Sequence, residues 1–144
     1  MEPSREQEPS PRLPRVLIVE DEGTVEDLLR AVFEGEVDVE AKSFPKGEDA
    51  ITMLEKRGDS EPIDVLITDL GLNDGPESGF NVAEVFKKKY PNAKIIFLTG
   101  SAYKVTEKYT PEQRKALNMK VVSKPCSPMA LLAMVKPPTV THAT

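Results

Sequence analysis

Three observations predict an α/β fold, a doubly wound sheet of five parallel strands alternating with five helices. Short apolar runs rich in β-branched residues recur at Val16-Leu17-Ile18-Val19, Val65-Leu66-Ile67 and Ile95-Ile96-Phe97-Leu98, the pattern of strands covered on both faces. Between them lie stretches whose apolar residues recur at helical spacing. Each strand then ends in a polar residue, at the rim where an open parallel sheet holds its ligands. Strands alternating with helices call for parallel pairing through right-handed crossovers.

The composition fits one domain of ordinary globular make-up, 144 residues with 39% apolar and 30% charged content. A net charge of −5 argues against direct nucleic-acid binding, which needs a basic face. The single cysteine excludes an internal disulfide. No apolar stretch approaches membrane-spanning length, and the N-terminus lacks the apolar core of a signal peptide, so a cytoplasmic, reducing setting is expected.

Residues 1–14 carry Pro3, Pro9, Pro11 and Pro14 among polar residues and read as a disordered tail, because such a stretch buries too little apolar surface to offset ordering. The folded domain is expected over 15–135, with a second tail at 136–144 that holds His142. After the first strand, Thr24 is a plausible N-cap, with Glu26 and Asp27 in the first helical turn and Val25, Leu28, Leu29, Val32 and Phe33 facing the core. Val37, Val39 and Ala41 alternate with Asp38, Glu40 and Lys42, which predicts a half-exposed strand at the sheet edge.

A helix over 46–57 turns Ala50, Ile51 and Leu54 inward, and Pro62 precedes the strand that ends at Asp69. Residues 71–79 form an irregular loop loaded with turn residues. The next helix carries Val82, Val85 and Phe86 and closes on Lys87-Lys88-Lys89, a solvated end that suits the helix dipole. Beyond the strand ending at Thr99, residues 100–110 read as a loop. Thr110-Pro111-Glu112-Gln113 has the form of a capping box with proline at the first helical position, and starts a short helix to about Asn118. Val121-Val122-Ser123 is the last strand, and Ser127-Pro128 starts a last helix bearing Leu131, Leu132, Met134 and Val135.

The strand ends present, in order, the acid cluster Glu20-Asp21-Glu22, the single Asp69, Thr99 followed by Gly100, and Lys124 followed by Pro125. Alone, Asp69 reads as the start of a turn and the acid cluster as surface charge. Adjacent acids at the rim repel one another unless a cation or a lysine compensates, so together they suggest a metal site. The ordered set is what carries specificity.

With these four stretches the chain resembles the receiver domain of two-component response regulators, over about residues 15–135. The resemblance implies a flavodoxin-like receiver fold with strand order 2-1-3-4-5, which agrees with the edge strand at 37–41. It also implies that Asp69 accepts a phosphoryl group from a histidine kinase or a histidine-phosphotransfer protein. Glu20, Asp21 and Asp69, with the backbone carbonyl of Gly71, take the positions that hold Mg2+. Thr99 takes that of the hydroxyl that follows the phosphoryl group, and Lys124 that of the lysine that pairs with it. On this reading the chain assists its own phosphorylation and dephosphorylation without being a classical enzyme. It signals through an unknown downstream protein, with no direct role for nucleic acid or membrane.

The sequence departs from the family pattern at three places. Val121 stands where the family commonly carries an aromatic residue that turns with the threonine. The segment from Thr99 to Lys124 is longer than usual and holds Tyr103 and Tyr109, one of which is a candidate for that role, each otherwise a surface tyrosine. In the loop after Asp69, Asn73 replaces a proline and the following glycine is displaced to Gly79. The alternative reading is a pseudo-receiver, a binding module that keeps the fold without being switched. An aspartyl-phosphate phosphatase is disfavoured because Gly71 stands where a second Asp is needed, and no phosphate-binding glycine motif follows any strand. Cys126 is expected to pack against the last helix.

Overall fold

The computed structural model describes residues 14–20, 22, 27, 30–33, 38–39, 46–58, 62–72, 75 and 78–135. Five strands pair in parallel in the order β2-β1-β3-β4-β5: β1 Arg15–Val19, β2 Asp38–Val39, β3 Val65–Thr68, β4 Lys94–Thr99 and β5 Met119–Ser123. The apolar runs become the centre of the sheet because both of their faces are covered. Val16 to Val19 are fully buried, as are Leu66, Ile95, Ile96 and Phe97. Each such side chain contributes about 1.5–3 kcal/mol by leaving water. At the β2 edge only two residues are described, and the rest of the expected strand at 37–41, like Thr24, Val25, Leu28 and Leu29 of the first helix, lies outside the described residues. Asp27 and residues 30–33 are helical, with Phe33 buried.

The further helices are α1 Gly47–Lys56, α2 Ser78–Lys89, α3 Ala102–Lys108, α4 Pro111–Ala116 and α5 Pro128–Val135. The described residues thus hold six helical segments against the five expected, and four strands of four or more residues beside the two-residue β2. The extra helix is α3, in the stretch expected to be a loop. Its sequence gives no helical stripe to read: Val105 is its one buried residue, and Ser101 makes no side-chain cap. Ordering seven residues costs about 1–2 kcal/mol each, more than one valine returns, so α3 depends on its neighbours for its position.

Elsewhere the local signals match the structure. Ala50 and Leu54 of α1 are buried, and the helix packs on α2, where a Cβ on Gly47 would lie 3.1 Å from Val82 Cγ2. The capping box forms as expected. Gln113 N–H donates to Thr110 Oγ1 at 3.1 Å, and Thr110 N–H donates to Gln113 Oε1 at 2.8 Å. Ser127 Oγ accepts from the Met129 and Ala130 N–H groups at 3.2 and 3.4 Å at the start of α5.

The lysine run at the end of α2 is less solvated than expected. Lys87 Nζ donates to the carbonyl of Ala93 at 2.6 Å, and Lys89 Nζ to that of Arg57 at 2.9 Å. Two of the three lysines therefore tie the helix end to neighbouring chain.

Candidate functional site

The strand order reverses between β1 and β3, because β2 lies on one side of β1 and β3 on the other. Such a reversal opens a crevice at the carboxyl ends of the strands. The register sets its floor. Val19 pairs with Thr68, so Glu20 and Asp69 leave the sheet at the same level, and Asp69 N–H donates to Val19 O at 3.2 Å. Thr99 pairs with Ser123, and Lys124 N–H donates to Thr99 O at 2.9 Å.

The side chains then meet on one ammonium. Lys124 Nζ stands 2.9 Å from Asp69 Oδ2, 3.1 Å from Glu20 Oε2 and 3.3 Å from Glu20 Oε1, with Glu22 Oε1 at 3.6 Å. Glu20 is almost wholly buried, its side chain 3% exposed. Burial pushes its carboxyl up to about 7, against the pull of Lys124. Burial alone lowers the Lys124 amine, but the hydrogen bond to Asp69 and the charge of Glu20 outweigh it and hold the amine above its ordinary range. Two partly desolvated carboxylates thus share one cation, an arrangement that costs desolvation and returns it only through this close geometry.

Asp69 is oriented by a second contact, because its Oδ1 accepts from the Leu70 N–H at 2.7 Å. Thr68, buried behind it, donates its hydroxyl to Asp69 O at 2.8 Å. Sequence reasoning missed the Leu70 amide, since a backbone donor carries no residue-type signal and is aimed only by the local turn. It also missed the reach of Glu22, for which the acid cluster was the available clue.

Thr99 is buried at the next strand end. Its Oγ1 accepts from the Ser101 N–H at 3.0 Å, and among the described residues its side chain makes no hydrogen bond to Asp69 or Lys124. Asp21 lies outside the described residues, as do Asn73, Asp74, Pro76 and Glu77 of the loop after Asp69. In that loop Leu72 and Gly75 exchange backbone hydrogen bonds at 3.1 and 3.0 Å, with Gly75 at φ 151°, a conformation open to glycine. Leu72 is buried and its N–H reaches Ser78 Oγ at 3.3 Å.

Among the described residues no three His, Cys, Asp or Glu side chains gather as a metal cluster. The donors still fit a hard divalent cation. Glu20 and Asp69 bring carboxylate oxygens to within about 3 Å of one positive centre, and oxygen donors of this class are what Mg2+ takes.

Of the two tyrosines between Thr99 and Lys124, Tyr103 is 59% exposed, the surface position expected. Tyr109 is half-buried, its ring 6.1 Å from that of Phe80. Val121 is half-buried on β5. Cys126 is half-buried and packs against the hydrophobic core. No helix among the described residues is long and apolar enough to cross a membrane.

Residues 16–136 match the family described as the response regulator receiver domain. No curated protein matches the chain. Among solved structures it is similar to the beryllofluoride-activated receiver domain of DrrB from Thermotoga maritima, at 26% identity and TM-score 0.64 over 85% of this chain and 94% of that one. It is similar to TrrA of the same organism, solved in complex with Mg(2+)-BeF, at 26% identity and TM-score 0.63 over 85% and 96%. A receiver protein from Sinorhizobium medicae aligns at 25% identity and TM-score 0.67 over 85% and 91%. The family match over residues 16–136 and the parallel sheet of order β2-β1-β3-β4-β5 agree, and the chain belongs to the response regulator receiver domain family.

Proposed function

We propose that the chain is a phosphorylation-controlled receiver, in which Asp69 accepts a phosphoryl group from a phosphohistidine on a histidine kinase or phosphotransfer protein. The observation that carries this reading is the Lys124 ammonium 2.9 Å from Asp69 Oδ2 and within hydrogen-bond reach of Glu20 at the strand-order reversal. In the transfer a carboxylate oxygen of Asp69 bonds to phosphorus as the phosphorus–nitrogen bond breaks, and the electron pair leaves with the imidazole.

Charge spreads over the phosphoryl oxygens in such a transfer, so the site's task is positioning and neutralisation. The Leu70 N–H fixes one oxygen of Asp69 before the donor arrives. Lys124 offers a positive charge beside the new acyl phosphate, and the Thr99 hydroxyl is poised at the neighbouring strand end to donate to a phosphoryl oxygen. Glu20, Asp21, Asp69 and the Gly71 carbonyl are the groups that would hold Mg2+, which supplies charge neutralisation between the carboxylates and the incoming anion. The chain assists its own modification in this way and acts in the cytoplasm through a protein partner, without turning over a substrate.

The half-buried Val121 favours a second reading, a pseudo-receiver that binds a partner without being switched. Incubation with Mg2+ and acetyl phosphate decides between the two. The receiver reading expects a mass increase of one phosphoryl group that is lost in Asp69→Asn. An unchanged mass at millimolar donor overturns it in favour of the pseudo-receiver.

A further inference from the structure

A cavity of about 610 Å³ lies between the end of α4 and the start of β5, and none of Glu20, Asp69, Thr99 and Lys124 lines it. Its wall follows from the local structure. Side chains alternate along a strand, so Met119 and Val121 fall on one face of β5, and both line the cavity together with Pro111 of α4. Asn118 turns the chain from α4 into β5 at φ 57°, and it lines the cavity too. β5 is the last strand of the sheet, so the outer side of its backbone has no strand partner among the described residues.

The rest of the wall is basic. Arg114 and Lys115 come from the last turn of α4, where cations suit the helix dipole, and Lys120 follows on β5. Arg114 is steadied by donating to the Tyr109 carbonyl at 2.8 Å, which uses one of the five N–H donors of its guanidinium. Lys120 is close enough to Lys94 that its charge adds to burial in holding the Lys94 amine below its ordinary range. Among the described residues no aspartate or glutamate lines the cavity, on a chain whose net charge is −5. Three cations gathered without a lining acid repel one another, and an anion between them relieves that repulsion.

We infer that this cavity binds a nucleoside phosphate, with the phosphate at Arg114, Lys115 and Lys120 and the base against Met119 and Val121. The volume lies in the range of small-molecule sites, about 300–1,000 Å³, and exceeds what a bare ion fills. Arginine meets phosphate oxygens with two parallel N–H groups, and lysine adds a compact charge. A base presents a flat apolar face to Met119, Val121 and Pro111, and its polar edge suits the donor and acceptor of the Asn118 amide. Val121 thereby acquires a role that the acidic site does not give it. Its short side chain keeps the wall set back, whereas a phenyl ring at 121 would stand where the base lies. The site is independent of Asp69, and so of the reading of that residue as phosphoacceptor.

Titration of the full chain with ADP, followed by amide chemical shifts in the absence of divalent cations, tests the site. Omitting the metal keeps the phosphates from reaching the acidic rim through an ion. Saturable shifts are expected at residues 114–121, with pyrophosphate bound about tenfold more weakly because it lacks the base. Val121→Phe is expected to weaken ADP binding about tenfold or more, and the double variant Lys115→Gln, Lys120→Gln about tenfold. Lys56→Gln neutralises an exposed lysine of α1 outside this wall and is expected to leave the affinity unchanged. Amide signal dispersion shows that each variant is folded, and the double variant, confined to exposed lysines, carries the test should Val121→Phe not fold. The absence of saturable shifts at residues 114–121 at millimolar ADP overturns the inference. So does pyrophosphate binding as tight as that of ADP, a loss in Lys56→Gln equal to that of the double variant, or parental affinity in a folded Val121→Phe.

Discussion

Gly79 is packed directly against the backbone of Asp69: a Cβ at position 79 would overlap the Asp69 carbonyl oxygen and lie 2.8 Å from Leu70 Cα. Gly79 is in the first turn of α2, where alanine would gain up to about 1 kcal/mol in helix propensity. Overpacking against backbone costs about 1–3 kcal/mol, and backbone cannot rotate away as a side chain does. Gly79→Ala is therefore expected to lower the urea midpoint, and a stability equal to or above the parent's would show that the loop yields.

Removing the shared ammonium leaves Glu20 and Asp69 facing each other without a cation. Lys124→Met is expected to lose about 1–3 kcal/mol in the metal-free protein, below the range for a fully buried pair because the lysine side chain is 21% exposed. Mg2+ is expected to stabilise this variant more than it does the parent, since the ion then replaces the missing charge. Denaturant titrations with and without Mg2+ check both parts.

Cation affinity is expected to fall on acidification below about 7. The buried Glu20 carboxyl is held up to about 7 in the cation-free protein, against 4.5 in an exposed chain, so below that value an ion must displace a proton to use this ligand. The sign follows: affinity drops by up to about tenfold per pH unit below 7 and levels off above it, while Lys124, held above its ordinary range, stays charged throughout. Calorimetric Mg2+ titrations in buffers of different ionisation enthalpy measure the released proton. An affinity indifferent to pH across neutrality would remove Glu20 from the ligand set.

Thr110→Ala removes the acceptor for Gln113 N–H and opens the capping box of α4. The expected loss is about 1 kcal/mol of stability, read from thermal or urea unfolding, with beryllofluoride binding unchanged because, among the described residues, the hydrogen bonds of Thr110 stay within α4 and its cap.

Much of this architecture is legible in the chain because strands buried on both faces have a local signature. Val16 to Val19 and Val65 to Ile67 are continuous apolar runs rich in β-branched residues, and a central position in a parallel sheet covers both faces of such a run. The capping box at Thr110 was readable for the same reason, since its donors and acceptors lie three residues apart. Helix α3 was not, because its seven residues present one buried side chain and no stripe. The burial of Leu72 within a turn-rich loop was hidden as well, since it depends on what that loop packs against.

What the sequence by itself determined is the identity and order of the polar residues at the strand ends, Glu20, Asp69, Thr99 and Lys124, because strand and turn signals act over a few neighbouring residues. What only the tertiary structure decided is how far those side chains reach. Lys124 is 55 residues from Asp69 and 104 from Glu20, and their meeting depends on strand register and on the parallel pairing of β1 with β3 in the sheet. The turning of the Thr99 hydroxyl toward Ser101, the seating of Tyr109 on Phe80 and the closure of Gly79 over Asp69 belong to the same class. Each is fixed by packing between distant segments, a physical quantity that no local pattern of residues encodes.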